Sequence, residues 1–230
     1  MEAVRQMNEM GKGLVFIISA PSGTGKTTLV RRVMEQLPGL RFSVSYTTRS
    51  PRTNERDGED YHFVSNSVFQ KMVERGEFLE WAKVLGNHYG TAQTNVKTLE
   101  SEGIDLILDI DTQGAKTVIE KLDCPVLIYI LPPSLKDLQD RLVKRGLDSP
   151  EMINFRLVNA RIDIEEAHWY HYVIVNERVE DAVETLRAII IAERCRRTKN
   201  SILKEKMEEL EEHHGKDYRR GLPEKGGESV

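Results

Sequence analysis

The sequence predicts an α/β fold in which helices wrap a parallel sheet, and three observations lead there. Short apolar runs of strand length alternate with amphipathic stretches of helical period along most of the 230 residues. One such run leads directly into a glycine-rich turn and then a helical pattern. The composition, 39% hydrophobic and 30% charged without repeats or low-complexity blocks, is that of a soluble globular chain able to bury one substantial core.

Residues 14–20 read as a buried first strand, followed by a helix over 26–36 that Pro38 and Gly39 stop. Residues 106–109, 126–131 and 172–175 read as further central strands. A helix over 134–145 opens with Ser134 and Asp137 at capping-box spacing, and the next has Ser149 at its N-cap and Pro150 at its first position. A long core helix is expected over 179–197. Residues 42–94 break the alternation, reading as a small mixed insert with strands at 61–64 and 78–84 and a helix at 67–75. The tail after Lys199 is predicted helical and charged as far as His213, then Gly- and Pro-rich, a solvated extension fading into disorder.

A net charge of −4 argues against general nucleic-acid binding but leaves room for a small anion held by local arginines. Cys124 and Cys195 are too few for a disulfide framework and lack zinc spacing, which favours a reducing compartment. The six histidines show no metal-ligand spacing either. The first thirteen residues are polar and do not read as a signal peptide, and no apolar run is long enough to span a bilayer, so a cytoplasmic protein is expected.

Phosphate chemistry starts at Ala20, Pro21, Ser22, Gly23, Thr24, Gly25, Lys26, Thr27 and Thr28. Strand, glycine loop ending in GKT, then helix is the P-loop arrangement, in which inward-curled N–H groups and a helix N-terminus cradle phosphates. These nine residues are the candidate ATP site; Lys26 would reach the β and γ phosphates and Thr27 would ligate Mg²⁺. Ala20 stands where the strict pattern has glycine, a departure that matters only if that position needs a positive φ. No N-K-x-D guanine-reading motif follows, which argues against a GTPase switch. A kinase needs a second anion site, and Arg49 and Arg52, three apart around Pro51, present forked donors for one.

The runs SYTTRSPRTNERDGEDYHFVS, EFLEWAKVLGNHYGT and LILDIDTQG resemble guanylate kinase, and the likeness extends from about Gly13 to Arg197 with the motifs in family order. It implies a P-loop three-layer fold over 13–198, with a core of 13–41 and 95–198, an inserted mixed α/β nucleotide-monophosphate-binding subdomain over about 42–94, a helical lid over about 141–167, and a charged extension over 199–230. It implies transfer of the γ-phosphoryl of ATP to GMP with Mg²⁺. Arg49, Arg52, Tyr61 and Tyr89 would hold the GMP phosphate, and Glu55 in the same loop would also bind GMP. Ser45, Glu80, Thr91 and Asp111 would face guanine, and Asp109 would organise Mg²⁺ through water. Arg141, Arg145 and Arg156 would come down on the triphosphate from the lid, and Asn176 would lie near the adenine. Guanine's N1–H and N2–H₂ donors call independently for carboxylates, whereas adenine would set lone pair against lone pair.

Each residue has a plainer reading when taken alone. Asp109 and Asp111 read as helix N-caps, Glu80 as a solvent-facing strand residue between Leu79 and Trp81, and Tyr61 and Tyr89 as core or rim. The three lid arginines read as surface partners of Asp137, Asp140 or Glu151, and Asn176 as a turn residue. Two other functions stay open: a guanylate-kinase-like scaffold module that binds phosphorylated partners, and a kinase for another mononucleotide. Intact Lys26 and Thr27, the lid arginines and the lack of attached interaction domains favour the enzyme.

Overall fold

A computed structural model describes residues 13–214 except 54, 85, 97–101 and 147. The polar N-terminus and the Gly- and Pro-rich end of the tail, both characterised above from sequence, lie outside the described residues.

The main sheet has five strands in the order β2-β7-β1-β8-β9, all parallel: β1 (Val15–Ser19), β2 (Leu40–Phe42), β7 (Asp105–Asp109), β8 (Val126–Leu131) and β9 (Tyr172–Val175). Its central strands are buried on both faces, as expected of continuous apolar runs. Alternate residues feed two cores. Phe16, Ile18, Ile128 and Ile130 pack with α1 (Lys26–Gln36) and with Ala182, Val183 and Leu186 of α6 (Val179–His214). Val15, Ile17, Leu108 and Tyr129 pack with Ala115 and Val118 of α3 (Thr112–Ile119). Each fully buried aliphatic side chain contributes about 1.5–3 kcal/mol, so this sheet is the rigid base of the molecule.

Between β2 and β7 the chain builds a second sheet, order β4-β3-β6-β5, from β3 (Tyr46–Thr47), β4 (His62–Phe63), β5 (Phe78–Val84) and β6 (Asn87–Ala92). Helix α2 (Asn66–Glu74), capped by Ser65, sets Phe69 against it. Phe42, assigned to the insert from sequence, instead ends an edge strand of the main sheet.

Helices α4 (Leu135–Arg145) and α5 (Pro150–Glu165) pack through Leu138, Leu142, Ile153 and Ala160. Both start as the sequence predicts, the Ser134 hydroxyl accepting from Asp137 N–H and that of Ser149 from Met152 N–H. The Asp137 carboxylate takes the Ser134 hydroxyl, not its backbone N–H, so the reciprocal half of a capping box is not formed. Gly146 closes α4 with φ 66°.

Helix α6 runs to His214, beyond the core helix expected over 179–197. The chain divides into two compact units, one ending at Ile190 and one beginning at Ile191. The described part of the second is the remainder of α6, with Arg196 bonded to Glu193 at 2.7 Å.

Candidate active site

The turn after β1 is shaped by Gly23 and Gly25, at φ 96° and 98°. Ala20 is not strained: Cys124 is the only described non-glycine residue with positive φ. Thr24 is buried and ties the loop back on itself, its N–H and its hydroxyl both donating to the Pro21 carbonyl, at 3.2 and 2.7 Å. Gly25 is the N-cap of α1 and brings no side chain to the first-turn N–H groups, a helix start suited to an anion. Lys26 Nζ pairs with Asp109 at the C-terminal end of β7 and lies 3.4 Å from the Ile18 carbonyl. Thr27 and Thr28 are exposed beside it.

Arg141 of α4 does not pair with Asp137 or Asp140. Its guanidinium donates to the Thr24 and Asn176 carbonyls, both at 2.9 Å. Asn176, 1% exposed, adds a bond from its amide nitrogen to the Thr24 carbonyl at 2.7 Å, while its Oδ1 is buried without a partner. Asn176 is thus a brace of the phosphate loop and not a simple turn residue. Arg156 of α5 donates to the Ser22 hydroxyl at 2.6 Å and pairs with Asp148 at 3.1 Å; Glu151 interacts with Ser149 instead. Arg145 has its pKa lowered by burial and then by the like charges of Arg52 and Arg156. The carboxylates of Asp148 and Glu55 offset part of that repulsion.

Across the cleft, Arg49 forks onto Glu55 with two bonds of 2.9 Å, and Glu55 also accepts the Arg52 N–H at 2.8 Å. Burial opposes the Arg49 charge, but hydrogen bonds with Glu55 and Tyr89 outweigh it and its pKa lies above the usual value. Its guanidinium carbon stands 5.4 Å from the Tyr61 ring centre, and Tyr61 meets Tyr89 edge to face. The Tyr61 hydroxyl titrates above its ordinary value, through burial first and the Asp109 charge second. One cavity of about 500 Å³ is lined both by Thr27 and Asp109 of the phosphate-loop side and by Arg52, Glu55 and Tyr61 of the facing loop.

The third cluster is a pair of carboxylates. Glu80 is 5% exposed and accepts the hydroxyl of buried Thr91 at 2.6 Å. A bulge explains the burial: pairing shifts between Phe78 and Glu80, so Leu79 and Glu80 are both buried and simple alternation fails. Asp111 does cap α3, accepting from Gly114 N–H at 2.7 Å, and its charge also bears on Glu80. Burial above all, with Asp111 adding and Thr91 opposing, pushes the Glu80 carboxyl up to about 7. Ser45 is buried at the start of β3, its carbonyl accepting the His62 N–H at 2.9 Å.

No group of three or more His, Cys, Asp or Glu side chains stands ready for a metal among the described residues. The Thr27 hydroxyl and the Asp109 carboxylate on one cavity wall are hard oxygen donors, and they fit a Mg²⁺ whose other ligands are phosphate oxygens and water.

The family model for guanylate kinase matches residues 12–193. The chain belongs to the guanylate kinase family. The Geobacter metallireducens guanylate kinase is 50% identical over 185 residues, 80% of this chain and 91% of that protein. The Thermotoga maritima guanylate kinase is 46% identical over 189 residues, 82% and 91% of the two chains. The crystal structure of guanylate kinase from Anaplasma phagocytophilum superposes with a TM-score of 0.68 at 34% identity, covering 80% of this chain and 87% of that one.

Sequence reasoning missed Asp148 as the Arg156 partner and Gly114 as the close neighbour of Glu80. A glycine in the first turn of a helix, where most residues do better, was the available signal for the latter.

Proposed function

We propose that this guanylate kinase family member moves the γ-phosphoryl of ATP onto the phosphate of GMP by direct in-line transfer, giving ADP and GDP. The cavity shared by Thr27, Asp109, Arg52, Glu55 and Tyr61 supports this reading, because one volume is bordered both by the helix start that follows the glycine loop and by the arginine-bearing loop facing it.

In this reading the loop around Gly23 and Gly25, with Lys26, holds the ATP phosphates, and Asn176, which braces that loop, lies near the adenine. Thr27 and, through water, Asp109 hold Mg²⁺, which supplies charge neutralisation to the phosphates. Arg49, Arg52, Tyr61 and Tyr89 take the GMP phosphate. Glu55, itself an anion, acts by aiming Arg49 and Arg52. Glu80, Thr91 and Asp111 read guanine, with Ser45 beside them. Helices α4 and α5 act as the lid, bringing Arg145 and Arg156 to the transferring group and excluding water, while Arg141 steadies the loop beneath. The acceptor is already an oxyanion, so no general base is required, and positioning with charge neutralisation does the chemistry.

A coupled ADP-release assay tests the whole. Turnover with ATP and GMP, and far less with AMP, is expected; no ADP release with GMP overturns it.

A further inference from the structure

Helix α3 carries Gly114 in its first turn, although glycine is among the weakest helix formers. Backbone freedom is not the reason, because Gly114 is not among the glycines with positive φ. Its surroundings supply one. A Cβ built on Gly114 would lie 2.8 Å from Glu80 Oε2, 3.3 Å from Glu80 Cδ and 3.3 Å from Asp111 Oδ1.

Glu80 has little freedom to yield. Its other oxygen is held by the Thr91 hydroxyl at 2.6 Å, and both residues are buried. The strand beneath is held as well, because Lys121, just beyond α3, bonds the Leu79 carbonyl and the Leu79 side chain sits in the core against α3. A methyl group at position 114 would therefore turn the carboxylate and not move the strand.

We propose that Gly114 is a positioning residue for acceptor selectivity, its bare Cα providing the space in which the Glu80 carboxylate stands beside Asp111 to meet the guanine edge. This rests on the function proposed above. It predicts that the cost of a side chain at 114 is transmitted through Glu80, and so depends on the length of the residue at 80.

The test is a double-mutant cycle of wild type, Gly114→Ala, Glu80→Asp and the pair, with KM and kcat for GMP, KM for ATP and the melting temperature of each. Aspartate withdraws the carboxylate by one carbon–carbon bond, about 1.5 Å, and makes room for the methyl. Gly114→Ala alone is expected to lower kcat/KM for GMP about tenfold, mainly through KM, with KM for ATP within about twofold of wild type. In the Glu80→Asp background the same substitution is expected to cost less than about threefold. Equal factors in both backgrounds overturn the inference, as does a rise in KM for ATP that matches the one for GMP. If Gly114→Ala does not fold, recovery of folding by Glu80→Asp supports the contact, and failure of both variants overturns it. A wild type inactive on GMP removes the functional reading and this inference together, whereas an active wild type with additive costs removes only this inference.

Discussion

Glu80→Gln is the most discriminating single change at the base pocket. The substitution keeps size and shape. The Thr91 hydroxyl, 2.6 Å from Oε1, keeps its bond when the amide oxygen stands there and the new NH₂ takes the place of Oε2. Donor then faces guanine's own donors where a carboxylate had accepted. Loss of a charge-assisted hydrogen bond with a group left unpaired costs about 1.5–3 kcal/mol, so kcat/KM for GMP should fall about 10- to 150-fold. KM for ATP should not follow, and discrimination against AMP should narrow because the repelling lone pair is gone. The pH profile adds an independent check. With the Glu80 carboxyl raised to about 7 in the free protein, guanine must compete with a proton below that pH. Wild-type kcat/KM for GMP should drop as pH falls from 8 through about 7, approaching about tenfold per pH unit, while the glutamine variant lacks this limb. The wild-type advantage is therefore largest at pH 8. ADP release measured with GMP and AMP from pH 6 to 8 settles it: an unchanged GMP-to-AMP ratio, or the same acid limb in the variant, refutes the role given to Glu80.

Lys26→Ala removes the cation that pairs with Asp109 and that the proposed function sets on the ATP phosphates; turnover should fall about 100-fold or more, while GMP titration shows near-normal affinity. Retention of more than about a tenth of the rate would contradict the cradle. Arg141→Ala strips the Thr24 and Asn176 carbonyls of two bonds of 2.9 Å, so KM for ATP should rise about tenfold with KM for GMP unchanged; the reverse pattern would place Arg141 elsewhere. Exposed Cys124, at φ 50°, carries left-handed strain worth about 1–2 kcal/mol, part of which glycine's entropy offsets. Cys124→Gly should raise the melting temperature by about 2–4 °C, and a lower value would show that the thiol has a role.

Several features set within a few residues of chain agree between sequence and structure. The glycine loop, the span of α1, the caps Ser134 and Ser149, and strands β5, β8 and β9 stand where neighbouring residues indicate, because caps, turns and apolar runs act within a few positions. The short strands β3 and β6 carry no local signal, since Tyr46 and Thr47 become a strand by pairing with Gly90 and Tyr89 on one side and His62 and Phe63 on the other. Family motifs carried the candidate site residues, and local chemistry alone leaned the wrong way for several of them. Alternation put Glu80 in solvent, and helical spacing offered Asp137 or Asp140 to Arg141. A bulge one residue long reversed the first, and a contact 117 residues away in sequence replaced the second. The sequence by itself determined the α/β fold, the phosphate loop and the kind of chemistry, because those depend on local backbone geometry and residue type. Only the tertiary structure decided which oxygens each arginine holds, that Glu80 is buried beside Asp111 with its pKa raised, and that its carboxylate stands against the bare Cα of Gly114. Those properties belong to distances between elements far apart in the chain, which no local pattern encodes.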